Sequence, residues 1–185
     1  MRMRLMGLAA VAALMCSTPV LAQLQDENLL AGVPEGFEVG YQASQNGMVI
    51  AEFVPKGETV EAWSRMITVQ VFRGLPNADG DQLASNMQQG WETACAGSDV
   101  GRDDAGTVNG YEWVAWHFSC PLNPETSLPE TMWLRAISGA DALYVVQYAY
   151  RALPSAECET PATEYLATIS VCDTRRPDRP CPEGM

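Results

Sequence analysis

The chain has 185 residues, with 23 acidic side chains against 11 basic ones and a formal net charge of −12. This length suits a single domain with a substantial core. The acidic balance repels nucleic acid and anionic membrane surfaces, so we expect neither as a partner.

Residues 1–22 have the pattern of a secretory signal peptide. Arg2 and Arg4 precede the apolar run "LMGLAAVAALM", and Val20 and Ala22 suit a cleavage site after Ala22. The run is well short of the ~20 residues of a spanning helix, and we expect no membrane span in the mature chain. Loss of both arginines would reduce the basic residues from 11 to 9 against 23 acids, a net charge of −14. The sequence therefore predicts a periplasmic or secreted protein.

The first half of the mature chain predicts three strands and a helix. Residues 23–35 are polar and turn-like, which indicates a flexible lead-in. The strands are "FEVGYQAS", "MVIAEFVP" and "RMITVQVF", and "QNG" between the first two is a hairpin signal. The segment "NADGDQLASNMQQGWETACAG" predicts a helix with Asp79 or Asp81 as its N-cap and Gly97 at its end.

The second half also predicts three strands followed by a helix, without a recognisable internal repeat. The polar segment "SDVGRDDAGTVNG" predicts a loop, followed by the strands "YEWVAWHFSC", "TMWLRAIS" and "ALYVVQYAYR". A second helix, "PATEYLATISVC", begins near Thr160 or Pro161. Alternating apolar and polar strand residues are typical of antiparallel sheets. We predict one α+β domain over 36–172, with an antiparallel sheet of about six strands in βββαβββα order, two helices packed on it, and a Pro/Arg-rich tail over 173–185.

The stretches "KGETVEAWSRMITVQVF" and "LYVVQYAYR", with a helix ending in cysteine between them, resemble small exported bacterial proteins of uncharacterised function. The outline is similar to the Mog1/PsbP-like fold, over about residues 36–170. The resemblance rests on packing and turn residues and implies an accessory, binding or assembly role. It supplies no catalytic residue.

His117 is the single histidine of the chain. A hydrolase with His117 as base and Ser119 nearby is one hypothesis, but residues at i and i+2 of a strand lie ~7 Å apart. A serine–histidine pair needs hydrogen-bond reach and an orienting third group. The cysteines lack the close spacing of zinc ligands, and neither phosphate-binding glycine motif is present. We therefore predict no catalytic residue, no metal and no cofactor.

Five aromatic residues form the candidate binding site. Strand parity places them on one face of each strand, and if these faces coincide they form an amphipathic platform for a ligand or a protein partner. The alternative is that they pack beneath a helix. The residues are Tyr111, Trp113, Trp133, Tyr144 and Tyr148.

Cysteine pairing follows from the predicted elements. Cys95 ends the first helix and Cys120 ends a strand, so a bridge between them would clamp the intervening loop. Cys158 and Cys172 flank the second helix, too far apart for a disulfide if that helix is intact. Cys181 is therefore expected to bond to Cys172, with Cys158 as the alternative.

The leading functional hypothesis is an exported, non-enzymatic binding or accessory protein of the cell envelope. One alternative is a carrier of a small apolar ligand between sheet and helix, which predicts a pocket of several hundred Å³. The other alternative is the hydrolase, which predicts a concave site around His117.

Overall fold

The computed structural model describes residues 24–183, so the predicted signal peptide lies outside the described residues. The described part contains nine strands and two helices. In chain order they are β1 (Glu27–Leu30), β2 (Phe37–Gln45), β3 (Met48–Pro55), β4 (Arg65–Arg73), α1 (Gly80–Ala94), β5 (Asp99–Val108), β6 (Tyr111–Asn123), β7 (Leu128–Ser138), β8 (Ala142–Tyr150), α2 (Ala156–Ala167) and β9 (Ser170–Asp173).

Seven of these strands form one antiparallel sheet in the order β2-β3-β4-β8-β7-β6-β5. β1 and β9 pair with each other in a separate two-stranded sheet. The α+β class is confirmed, and the main sheet has seven strands where about six were predicted. No helix within residues 24–183 is long and apolar enough to cross a membrane.

The additional strand of the main sheet is β5, where the sequence predicted a polar loop. β5 pairs with β6 from Asp99, opposite Ser119, to the end of the hairpin. Most of its residues are exposed, and charged side chains at a sheet edge oppose pairing with another chain. Asn109 and Gly110 at the turn have positive φ angles of 47° and 76°. This dipeptide favours a two-residue hairpin and was the signal for the strand.

The structure also differs from the prediction at the start of the domain. The expected flexible lead-in over 23–35 contains β1, which pairs with β9 from Glu27, opposite Asp173, to Leu30, opposite Ser170. The four residues of β1 are partly buried. The partner strand comes from the far end of the chain, so the local sequence held no turn signal for this pairing.

The second helix is shifted towards the N-terminus. α2 begins after Ser155 and contains Pro161 inside it, and it ends before Thr168 instead of continuing to Cys172. Residues 170–173 form β9. The β-branched residues of "TISV" favour a strand over a helix in this segment.

The two helices cover opposite faces of the main sheet. α1 packs on β6 and β7, whereas α2 packs on β7 and β8. Successive strand residues point to opposite faces, so the sheet contributes to two separate cores. We call these the α1 face and the α2 face. Buried residues of the α1 face include Trp116, Phe118, Leu134 and Val145. Buried residues of the α2 face include Ile67, Ile137, Val146 and Leu166.

Asp79 and Asp81 fix the start of α1. The Asp79 carboxylate accepts hydrogen bonds from the amides of Asp81 and Gln82, and is the N-cap. Asp81 accepts from Trp116 Nε1 over 2.8 Å and from Arg102 Nε over 2.9 Å. The hydrogen bond from Arg102 is the main cause that lowers the pKa of Asp81. The start of the helix is thereby attached to both β5 and β6.

Two disulfides join the cysteines that the sequence analysis paired. Cys95 bonds to Cys120 with a Cα–Cα distance of 5.9 Å, and Cys172 bonds to Cys181 with a distance of 4.9 Å. Of the cysteines in the described part of the chain, Cys158 has a free thiol. The second bridge holds the C-terminal tail against β9.

Candidate ligand-binding groove

The structure places the five predicted aromatic residues on the α2 face. Four of them are buried in its core, namely Tyr111, Trp133, Tyr144 and Tyr148. The fifth, Trp113, is partly buried and packs against the same core. These side chains therefore do not form an open platform. They fill the space beneath α2 and β1, as in the alternative arrangement.

A groove remains open between this aromatic layer and α2. Its volume is about 470 Å³, and the exposed residues Asp103 and Asp104 of β5 lie along its outer side. The indole groups of Trp113 and Trp133 line the sheet side, and Thr163 and Leu166 line the helix side. We call it the α2 groove. A cavity of this size and lining is typical of small-molecule sites.

The strand register explains why a groove forms at this place. Across the sheet, Asp104 of β5 lies opposite Ala115 of β6, which lies opposite Arg135 of β7. The methyl group of Ala115 leaves space between two larger neighbours on the same face, Trp113 and His117. The small residue thus provides the floor of the groove, with a carboxylate on its outer side and a guanidinium on its inner side.

Arg135 forms the inner wall of the α2 groove. Its side chain comes from the middle of the sheet, and the residue is only 6% exposed. The guanidinium lies 4.2 Å from the centre of the Trp113 ring, and Nη1 donates a hydrogen bond to Leu166 O over 2.8 Å. Burial lowers the pKa of Arg135, an effect that the charge of Asp104 partly opposes. A cation therefore lies within a mostly apolar wall.

His117 lies outside the groove and is paired with acids. Its Nδ1 is hydrogen-bonded to the carboxylate of Asp103, and its Nε2 lies 3.8 Å from a carboxylate oxygen of Asp99. Gly101 lies directly opposite on β5, where an added Cβ would be 2.7 Å from the imidazole. Glycine is needed there so that the ring can lie across the edge strand.

The hydrolase hypothesis needs a nucleophile as well as this acid. Ser119 is only 6% exposed, on the same strand, and among the hydrogen bonds of the described residues none joins it to His117. In the same part of the chain, no group of three histidine, cysteine or acidic residues is arranged to hold a metal ion. Among the contacts found between residues 24 and 183, those of the His117 ring nitrogens join it to Asp103 and Asp99.

A second, wider cleft lies at the start of α1. Its volume is about 880 Å³, and its lining includes Asp79, Asp81, Arg102 and Glu112. Arg102 already binds Asp81, and Asp79 already caps the helix. Two acids of this cleft are thus already engaged, one by the helix and one by Arg102.

Neither Arg135 nor Ala115 was predicted from the sequence as a lining residue of a pocket between sheet and helix. One signal was present: Arg135 shares strand parity with Trp133 and Ile137, so a charge interrupts a buried face. The groove itself depends on the position of α2 above Ala115. The strand pattern alone could not supply that position.

Comparison with solved structures identifies the fold. The chain is similar to the Saccharomyces cerevisiae Ran-binding protein Mog1p, with 13% identity and a TM-score of 0.50, over 82% of this chain and 98% of that one. The chain has the Mog1/PsbP-like fold. The resemblance found in the sequence is therefore confirmed for the fold. No family model and no curated protein matches the chain.

Two further structures are similar at lower TM-scores. A point mutant of Mog1 matches with 14% identity and a TM-score of 0.49, over 80% of this chain and 92% of that chain. LpqN of Mycobacterium tuberculosis, a protein involved in cell envelope biogenesis, matches with 8% identity and a TM-score of 0.41, over 81% of this chain and 86% of that chain.

Proposed function

We propose that this chain is an exported, non-enzymatic binding protein that holds a small apolar ligand in the α2 groove. The observation that supports this role most directly is the groove itself, about 470 Å³ between sheet and helix with two indole groups in its wall. The sequence-based carrier hypothesis required a pocket of several hundred Å³ lined by these aromatic residues. Two of the five, Trp113 and Trp133, line the groove, whereas Tyr111, Tyr144 and Tyr148 do not.

The two disulfides support the exported location. Stable disulfides form in oxidising compartments and are rare in the cytosol. The bridges Cys95–Cys120 and Cys172–Cys181 agree with the signal-peptide pattern of residues 1–22. We propose a periplasmic or secreted protein. Sequencing the N-terminus of the exported protein tests this part, with Gln23 expected as the first residue and Ala22→Leu expected to block cleavage.

Binding without catalysis agrees with the surroundings of His117. A general base requires a reacting group within hydrogen-bond distance, whereas the ring nitrogens of His117 contact Asp103 and Asp99. A pair of this kind attaches the edge strand β5 to β6. This attachment holds the edge strand beside the groove.

A neutral fluorescent probe, phenylnaphthylamine, tests the binding site. We expect saturable fluorescence enhancement with the wild-type protein. Thr163→Trp fills the groove from the helix side and should weaken binding at least about tenfold. Glu164→Trp is the matched control, because the next helix position does not line the groove. Absence of saturable binding, or equal effects of the two substitutions, would contradict the proposal.

A second candidate function is binding of a protein partner at the other edge of the sheet. β2 is an edge strand on which Val39 and Tyr41 are 54% and 46% exposed. An apolar edge strand can pair with an added strand. Mog1p is a Ran-binding protein, so this fold is compatible with a protein partner. A photoreactive residue in place of Tyr41 should then give one crosslinked species in cells, and the same residue in place of Glu125 should give none.

A further inference from the structure

The guanidinium of Arg135 has unused hydrogen-bonding capacity. It carries five N–H groups, yet within the described residues it makes one hydrogen bond, to Leu166 O. Nε is buried and has no partner. Among the ion pairs found between residues 24 and 183, none includes Arg135. A buried charge that lacks a counter-ion is strongly unfavourable unless another group compensates it.

The fold itself compensates this charge only in part. Leu166 O lies at the C-terminal end of α2, where the helix dipole favours a cation. The Trp113 ring adds a cation–π contact on one side of the guanidinium. Neither contact supplies a negative charge, and neither satisfies Nε. Ala115, which lies opposite Arg135 in the strand register, is apolar.

Asp104 does not act as the counter-ion of Arg135. Its carboxylate accepts a hydrogen bond from the amide of Ala105 over 2.8 Å, which holds it at the outer side of the groove. Ala115 separates it from Arg135 in the strand register. The groove thus has an acid at its mouth and, at its inner end, a guanidinium that no described acid pairs with, and apolar walls lie between them.

We propose that the ligand of the α2 groove is an amphipathic monocarboxylate. Its carboxylate would accept hydrogen bonds from Arg135, and its apolar body would lie along Trp113 and Trp133. Guanidinium binds carboxylates through two parallel hydrogen bonds, so one ligand group can satisfy several donors. This inference rests on the proposed function and specifies the ligand class.

The acids at the mouth explain why one negative charge fits better than several. Asp103 and Asp104 both line the groove on β5, and the whole chain has a net charge of −12. A phosphate monoester or a dicarboxylate would leave excess negative charge beside these acids. A monocarboxylate neutralises Arg135 and leaves an apolar tail towards the opening. Fatty acids and aromatic acids both provide this chemistry.

Paired acids and alcohols distinguish a charged ligand from a merely apolar one. The probes are dodecanoate with dodecanol and naphthoate with naphthalenemethanol, measured by calorimetric titration below their aggregation limits. Charged hydrogen bonds predict that the wild-type protein binds each acid about tenfold to a hundredfold more tightly than its alcohol. Preference for the dodecyl pair would indicate a fatty acid, and preference for the naphthyl pair an aromatic acid.

Substitution of Arg135 tests the contact. Arg135→Met should reduce the affinity for the acid to that for the alcohol, and Arg135→Lys should retain part of the difference. Arg151→Gln is the matched control, since Arg151 also lies over an indole, 4.5 Å from the centre of the Trp63 ring, and also donates to a carbonyl group. It lies outside the groove and should leave both affinities unchanged.

Asp104→Asn tests the same inference without altering the core. Removing the charge at the mouth should tighten binding of the acid several-fold and leave the alcohol unaffected. Equal affinities for acid and alcohol in the wild-type protein would overturn the inference that the ligand is a monocarboxylate. Equal effects of Asp104→Asn on the affinities for acid and alcohol would overturn it as well. If the alcohols still bind and Thr163→Trp abolishes their binding, the proposed carrier function stands although this inference fails. If neither the acids nor the alcohols bind, the proposed carrier function and the monocarboxylate inference both fail.

Discussion

The carboxylate of Glu27 accepts a hydrogen bond from the amide of Ala140 over 2.7 Å and so ties β1 to the β7–β8 hairpin. The same carboxylate accepts from the amide of Asp141 over 3.0 Å and from the hydroxyl of Tyr144 over 3.1 Å. Burial, followed by the nearby charge of Glu27, raises the pKa of Tyr144. A segment more than a hundred residues away in sequence thereby caps the turn.

Glu27→Gln should destabilise the domain. The amide oxygen can replace only part of the carboxylate, and the new NH₂ group would face the backbone donors of Ala140 and Asp141. Hydrogen bonds to charged groups contribute about 1.5–3 kcal/mol, so we expect a loss of this order in the free energy of unfolding. Urea denaturation measures it. Glu125→Gln, in an exposed turn, is the control and should change stability by less than about 0.5 kcal/mol.

Gly139→Ala should also destabilise the domain, for a steric reason. A Cβ at Gly139 would overlap the carboxylate of Glu27 and lie 2.7 Å from the carbonyl oxygen of Ala142. Overpacking of this kind costs about 1–3 kcal/mol. Gly32→Ala is the matched control, because an added Cβ there meets no atom within 4 Å. Thermal unfolding of the two variants compares them directly. Equal melting temperatures would show that the hairpin can move away from β1.

The sequence predicted the elements that are defined by local patterns. Alternation located β2, β3, β4, β6, β7 and β8, and Asp79 was correctly identified as an N-cap candidate. β5 was missed because its charged residues show no apolar alternation, although it is a regular edge strand. β1 and β9 were missed because each is short and their pairing joins the two ends of the domain.

The candidate site was predicted only in part. Trp113 and Trp133 pack in one cluster, a grouping that the sequence suggested only on condition that the faces of their strands coincide. It could not show which part of that face α2 covers, and therefore whether the rings line an opening or fill a core. The surroundings of Arg135 could not be predicted for the same reason, because the position of the α2 C-terminus decides what lies around the guanidinium.

The two disulfides should contribute unequally to stability. Cys95–Cys120 closes 25 residues and Cys172–Cys181 closes 9 residues. The chain-entropy model predicts contributions of about 3.5 and about 2.5 kcal/mol, respectively. We expect the double variant Cys95→Ser, Cys120→Ser to have the lower midpoint in urea. Each double variant should be compared with Cys158→Ser, which removes the free thiol and leaves both bridges in place. A lower urea midpoint for the double variant Cys172→Ser, Cys181→Ser would mean that the contacts of the C-terminal tail stabilise the domain by more than the difference in loop entropy between the two bridges.

Asp173 should make the domain less stable in acid. It is only 1% exposed, and hydrogen bonds from the Arg175 side chain lower its pKa below the usual 3.8, although burial opposes this effect and the Arg175 amide adds to it. A carboxyl group with a lower pKa in the folded state than in the unfolded state stabilises the fold above its unfolded pKa. That stabilisation is lost as the pH falls below the unfolded pKa, near 3.8, and through the lower folded pKa.

Denaturation midpoints across this pH range test the role of Asp173. Asp173→Asn should lower stability at neutral pH and flatten the decline in acid, because the variant has no proton to take up at this position. Arg175→Gln should flatten it as well, since it removes the cation that lowers the pKa of Asp173. If both variants keep the wild-type slope, other carboxylates cause the decline. The buried contact between β9 and the tail would then contribute to stability without depending on charge.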